Sequence, residues 1–215
     1  MLHANPRRHF GHRGLVLGLA LASLGVTTAT TLPAHAVSVI KHPGAHPSYS
    51  VEIEPHLLLQ WSQTRWGDEG FGPGVRVNVP FLDNGPIQKI NNNMAIGFGF
   101  DWATFNDVGA YCYYYDPRVP AAARAYDCDA DTYWFPVVLQ WNFFLTDIIS
   151  VFGEPGFAIA HYRWDSAYTL YDYSDSDTDL RFVFWGGGRF LLGDTISIVA
   201  RIGSPYLSVG VSFLL

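Results

Sequence analysis

Four sets of side chains in this sequence have the types and spacing that chemistry requires. The first is the cysteine pair, Cys112 and Cys128, at the two ends of "CYYYDPRVPAAARAYDC". In an oxidising compartment such a pair is expected to close a disulfide, the alternatives being a metal site or free thiols. A bridge enclosing about 15 residues stabilises by roughly 3 kcal/mol in the chain-entropy account. The second set is aspartate at alternate positions. "DCDAD" carries Asp127, Asp129 and Asp131, and "YDYSDSDTD" carries Asp172, Asp175, Asp177 and Asp179. Oxygen ligands at that density would suit Ca²⁺ or Mg²⁺. Neither stretch has the glycine and distal glutamate of a full calcium loop, and a solvated, self-repelling acidic loop is the simpler account. The third set, "HYRWDS", places His161, Asp165 and Ser166 together. These are the residue types of an acyl-transfer triad, although such proximity along a chain is common by chance. The fourth is dispersed: Glu52, Glu54, Arg76, Asp101, Gln140, Glu154, Arg181, Arg189 and Arg201.

The elements that must carry these residues show a period of two, the signature of β-strands with one apolar face. Eight such stretches are expected, over 49–61, 74–82, 94–103, 133–145, 149–160, 181–190, 195–202 and 204–215. In the third, Met94, Ile96, Phe98, Phe100 and Trp102 oppose Gly97, Gly99 and Asp101; in the fourth, Phe135, Val137, Leu139, Trp141 and Phe143 oppose Gln140 and Asn142. The connections alternate between long and short. Long ones follow the first, third and fifth stretches, whereas "TD" and "GD" join the fourth to the fifth and the sixth to the seventh.

The front of the chain is different. Arg7, Arg8 and Arg13 precede the apolar run "LVLGLALASLGV", and a polar segment ends in "AHA" at residues 34–36. A charged start, a short apolar core and a small-x-small ending predict a secretory signal peptide over residues 1–36. The run is too short for a membrane helix, which needs about 20 apolar residues. Its removal leaves ten of the 13 basic and all 19 acidic residues, a charge near −9 that argues against nucleic acid as a partner. Beyond the leader, an N-terminal segment over 37–46 is expected to precede the strands of 47–215.

Half of the sequence is apolar (49%) and 16% is aromatic, with 15% charged. A chain so rich in oil, without a helical span, is either a close-packed soluble β protein or a barrel with its apolar face outward. The polar strand faces choose between the two. They carry Glu52, Glu54, Asp101 and Glu154 against Arg76, Arg181, Arg189 and Arg201, spaced by Gly, Ser, Asn and Gln. A water-facing surface would be rich in lysine and glutamate, yet only Lys41 and Lys89 occur, outside the strands. Sparse, balanced, arginine-rich charge predicts a tight interior of ion pairs, because the guanidinium fork serves carboxylates bidentately. His56, on the same face, is expected to be a hydrogen-bonded interior residue.

With its leader, eight alternating strands and terminal "YLSVGVSFLL", the chain resembles the small outer-membrane β-barrel proteins of Gram-negative bacteria, the OmpA/OmpX/OmpW-like group. The resemblance covers about 45–215. It implies an all-β, eight-stranded antiparallel up-and-down transmembrane barrel, monomeric, with both termini periplasmic and the long loops outside. It also implies partners: membrane lipid, lipopolysaccharide, and the barrel-assembly machinery reading Leu207, Val209, Val211, Phe213 and Leu215. The group usually ends in Phe or Trp, where this chain has Leu215. The role it implies is structural or surface-interacting, with no cofactor beyond a Ca²⁺ that would bridge the acidic loops to lipopolysaccharide phosphates. The alternatives are a narrow ion or small-solute channel, and a lipid-modifying enzyme working through His161, Asp165 and Ser166.

Overall fold

The structure, a computed structural model, describes residues 36–63, 69–105, 128–167 and 172–215. The expected leader, Cys112 and Asp127 lie outside the described residues. Eight strands follow one another: β1 (Glu52–Gln60), β2 (Gly70–Leu82), β3 (Asn92–Phe105), β4 (Cys128–Phe144), β5 (Ile149–Ala167), β6 (Asp172–Leu191), β7 (Ile196–Ser204) and β8 (Tyr206–Leu214). Each pairs antiparallel with its sequence neighbours, and β1 also pairs with β8, so the sheet closes into a barrel. The closing seam sets Ile53 opposite Phe213 and Leu57 opposite Val209. Around the closed cylinder no strand edge is left unpaired, the condition for a sheet to survive in hydrocarbon, while residues 172–183 of β6 pair with β5 alone.

The period of two is realised residue by residue. Along β1 burial alternates without a break, with Glu52, Glu54, His56, Leu58 and Gln60 inside. Phe98 is 48% exposed and Leu139 39%, whereas Glu54 and Arg76 are fully buried. The apolar face therefore points out of the barrel and the ionisable face points in. Nine residues of β1, at about 3.4 Å each and a tilt near 40°, span about 23 Å of height, close to the ~25 Å apolar band of membrane barrels. Trp61, Phe71 and Trp102 border this belt at the long-loop end, and Phe81, Phe190 and Phe213 at the short-turn end. Trp141 and Phe143 pack there with centroids 4.8 Å apart and planes tilted by 39°. Val209, Val211 and Phe213 of β8, and Leu215 just past its end, belong to the exposed apolar set, and Leu207 shares their face.

Two expectations are corrected. The acidic stretches, expected as loops, are strand instead: Asp129 and Asp131 lie on β4, and Asp172, Asp175, Asp177 and Asp179 on β6. Alternating Asp and Ser still pair, because β5 runs opposite them without interruption from Ile149 to Ala167. The resulting β5 and β6, 19 and 20 residues long, are about twice the ~9–11 residues a bilayer requires. The second correction concerns the start of the barrel. Tyr49 does not open the first strand on the apolar face, because β1 begins at Glu52; its hydroxyl instead accepts from Asn93 Nδ2 at 3.4 Å.

Inner glycines make room for the large polar side chains. A Cβ on Gly99 would come within 2.7 Å of Arg76 Nε and 3.0 Å of Pro136 Cγ. Replacing Phe98 by Arg, on the belt and away from its margins, should destabilise the barrel by about 2–4 kcal/mol in urea titrations of vesicle-inserted protein. The same substitution at an exposed position of a water-soluble protein would change stability little, so a neutral outcome would place Phe98 outside lipid.

Candidate functional site

The site that the strands assemble is the barrel interior, and its centre is Arg201. From β7 its Nε donates to Glu154 Oε2 at 2.8 Å and its Nη2 to Glu154 Oε1 at 3.2 Å. Its Nη1 and Nη2 donate to the two oxygens of Glu54 at 2.6 and 2.9 Å. One guanidinium thus holds two carboxylates, from β5 and β1, each through two bonds. Gln140 Nε2 adds a bond of 2.7 Å to Glu154.

Two further clusters flank this centre. Toward the short-turn end, Arg189 Nη2 donates to both oxygens of Glu52 at 2.6 Å, and Asn78 Nδ2 donates to Glu52 Oε2 at 3.1 Å. Asn142 links this cluster onward, accepting from Arg189 Nη1 at 3.3 Å and donating to Gln140 and Asn93. Toward the long-loop end, Arg76 Nη1 lies 3.5 Å from Glu154 and its Nη2 donates to the Tyr206 hydroxyl at 2.8 Å. Tyr206 in turn donates to Asp101 Oδ2. His56 Nε2 stands 2.8 Å from Asp101 Oδ1, while its Nδ1 faces the Glu54 carbonyl at 3.3 Å. Three guanidinium groups meet four carboxylates here, and the imidazole adds a further donor between two of them. All these side chains are buried, so each charge is held by a partner rather than by water.

Above the ions the interior turns apolar. Leu58, Phe105, Trp134, Tyr162 and Trp185 fill it together with the Tyr206 ring. Their polar atoms are placed as well: Trp134 Nε1 donates to Gln60 Oε1 at 3.0 Å, and Trp185 Nε1 to the Tyr206 carbonyl at 3.1 Å. Arg76 lies over the Trp185 ring, 5.0 Å from its centroid, and Arg201 over Phe152 at 5.3 Å. Side chains from all eight strands meet across the axis, which an eight-stranded barrel is just narrow enough to allow.

Eight of the nine polar residues named from sequence come together in this network: Glu52, Glu54, Arg76, Asp101, Gln140, Glu154, Arg189 and Arg201. Arg181 does not. Its side chain is 40% exposed and donates to Asp179 at 2.7 Å, nearer the long-loop end of β6. Period two put it on the correct face, but its height along the strand carries it clear of the ions. The sequence places Asn78 and Asn142 on polar strand faces without naming them among the site residues; Phe152 and Trp134, on inward-facing positions of β5 and β4 where that same period would have found them, it leaves out.

The other candidates are dispersed. On β5, residues 161 and 165 share one strand face and residue 166 takes the other; at about 3.4 Å per residue, 161 and 165 are some 13 Å apart. His161 Nδ1 is within 2.9 Å of Thr178 Oγ1, and the side chains of Asp165 and Ser166 lie outside the described ones. Asp131 pairs in register with Arg163 on the outer face, and its Oδ1 accepts from Trp102 Nε1 at 2.8 Å. Asp177 and Asp179 sit opposite Tyr162 and Ala160, on the inner face. Asp131 thus faces the opposite side of the sheet from Asp177 and Asp179. Among the described residues no three ligating side chains converge on a metal position.

Replacing Arg201 by Ala should cost about 3–5 kcal/mol, because Glu54 and Glu154 would be left as buried, unpaired charges. Adding Glu54→Gln and Glu154→Gln to that variant should recover much of the loss, as read from urea unfolding in vesicles. Arg189→Ala, which strips one carboxylate rather than two, should cost less than Arg201→Ala.

No protein-family profile and no curated protein matches the sequence of this chain. Solved structures do. Neisserial surface protein A is 12% identical with a TM-score of 0.50, the alignment covering 77% of this chain and 97% of that one. The attachment invasion locus protein Ail of Yersinia pestis, solved in complex with the heparin analogue sucrose octasulfate, is 13% identical with a TM-score of 0.45, covering 78% and 99%. Omp33, an outer membrane protein of Acinetobacter baumannii, covers 78% and 98% at 8% identity and a TM-score of 0.24. The likeness to the neisserial protein is one of fold. With apolar side chains outside, ion pairs inside and β1 closed on β8, the chain is an eight-stranded antiparallel barrel with the fold of the small outer-membrane proteins.

Proposed function

We propose that this chain is a non-enzymatic outer-membrane protein of a Gram-negative envelope, whose barrel is an anchor and whose elongated β4–β5–β6 sheet is a surface for interaction outside the cell. The observation that carries this reading is the contrast between the two ends of the molecule. The interior is occupied by ion pairs and aromatic rings, while β5 and β6 continue about ten residues beyond the length a bilayer needs. Strands of that length, bearing Asp, Ser, Tyr and Trp, serve no purpose in spanning lipid. Export through a leader ending at Ala36, insertion guided by the β8 apolar set, residence among lipid and lipopolysaccharide as a monomer, and a Cys112–Cys128 disulfide beside the extension belong to the same reading. The short-turn end then faces the periplasm.

Two measurements test it. In planar bilayers the purified protein should show no conductance steps at voltages that open general porins; sustained steps would favour the narrow channel instead. An epitope inserted between residues 167 and 172 should be labelled by antibody on intact cells, and labelling only after outer-membrane disruption would invert the orientation.

A further inference from the structure

At the short-turn end, the segment before β1 is tied to the turns that close the strands above it. Val39 N donates to the Leu145 carbonyl at 3.1 Å, and Asn91 N donates to the Ile40 carbonyl at 2.7 Å. Asn91 Nδ2 donates to the Ala45 carbonyl at 2.9 Å, and Asn91 Oδ1 lies 2.6 Å from His46 Nδ1. The His46 ring stacks on Phe144 with centroids 4.4 Å apart and planes 7° from parallel. These contacts make the segment a strap across the β2–β3 and β4–β5 turns.

The head of the strap has an unusual partner. Val37 N donates to Asp147 Oδ1 at 3.0 Å, while Asp147 N donates back to the Val37 carbonyl at 3.0 Å. The carboxylate is not needed by its own turn. Thr146 Oγ1 serves there, accepting from Ile148 N at 3.3 Å and Ile149 N at 3.0 Å. A backbone amide would be satisfied by a neutral acceptor; a full negative charge at this position suits a positive donor better.

Such a donor arises if the leader is removed where "AHA" ends. Hydrolysis of the Ala36–Val37 bond by a signal peptidase adds water across the amide. The carboxylate departs with Ala36, and the nitrogen stays on Val37 as a primary amine that takes up a proton at neutral pH. We propose that Asp147 is a built receptor for the α-ammonium group of Val37, so that processing converts a neutral hydrogen bond into an ion pair and fastens the strap across the two turns. Capture of an amino terminus by a preformed acceptor is a recurring recognition mode. The proposal rests on the export reading above.

The test uses the full protein purified from the outer membrane. N-terminal sequencing should begin at Val37. Acylation of that amine by an N-hydroxysuccinimide ester near pH 7, followed by mass spectrometry of the N-terminal peptide, then reads its free-base fraction. Asp147→Asn should raise the rate by about threefold, equivalent to half a pKa unit, while Asp194→Asn in the β6–β7 turn should leave it unchanged. If Asp147→Asn does not assemble, the wild-type rate is compared at about 0.01 M and about 1 M salt, where the screening length falls from ~30 Å to ~3 Å and the rate should rise. A chain starting elsewhere than Val37 would overturn both the cleavage boundary and the receptor. A chain starting at Val37 with equal rates in wild type and Asp147→Asn, or with no salt dependence, would overturn the receptor and leave export standing.

Discussion

Hydrocarbon offers no partner for a backbone amide, and every feature of this barrel follows from that one deprivation. The sheet must be closed, so β8 returns to β1. Closure with eight strands gives an interior too narrow for bulk water and too wide to leave empty. The outer face must dissolve in lipid, which assigns Phe, Val, Leu and Ile to one set of alternate positions. The other set is then inside, whatever its chemistry. Soluble proteins bury their oil; here the oil is spent on the outside, and the interior has to be held together by something else.

What holds it is charge. Ions removed from water are costly, and an isolated buried pair is often no more stabilising than two apolar side chains. This interior meets the difficulty by sharing. Arg201 closes two carboxylates, Glu154 receives Arg201, Arg76 and Gln140, and Asp101 receives His56 and Tyr206. Such a network has a further consequence for shape. Arg189 on β6 reaches Glu52 on β1, and Arg76 on β2 reaches Glu154 on β5, so the pairs cross the lumen and resist its flattening. The aromatic layer above, with Trp134 and Tyr162 edge to face at 6.2 Å, continues the same fill with apolar contact.

The two ends of the molecule solve different problems. At the short-turn end, backbone pairing from the strap at Val37, Val39 and Ile40 satisfies turn groups that strands alone would leave to solvent. At the other end β5 and β6 keep pairing with each other after the bilayer would have been crossed, so the extension is a sheet and not a coil. A paired ribbon holds its side chains in two fixed faces: Asp131 and Arg163 on one, Asp177 and Asp179 on the other.

Most of this barrel was legible before any coordinate. Strict alternation in residues such as Ile96, Phe98 and Phe100, with no lysine on the opposite faces, determined which side chains meet lipid and which lie within. Strand ends were less legible: Asp-Ser repeats have loop composition, and only the presence of β5 alongside turned residues 172–180 into strand. Arg181 shows the remaining gap. A period of two fixes the face of a residue, not its height in a tilted, staggered cylinder, and height decides whether an arginine meets Glu154 deep in the lumen or Asp179 near the rim. That Arg201 holds two glutamates, that Tyr206 joins Arg76 to Asp101, and that Asp147 faces the Val37 nitrogen depend on the stagger of all eight strands together. Local sequence carries no term for that stagger, so it was left to the tertiary structure to decide.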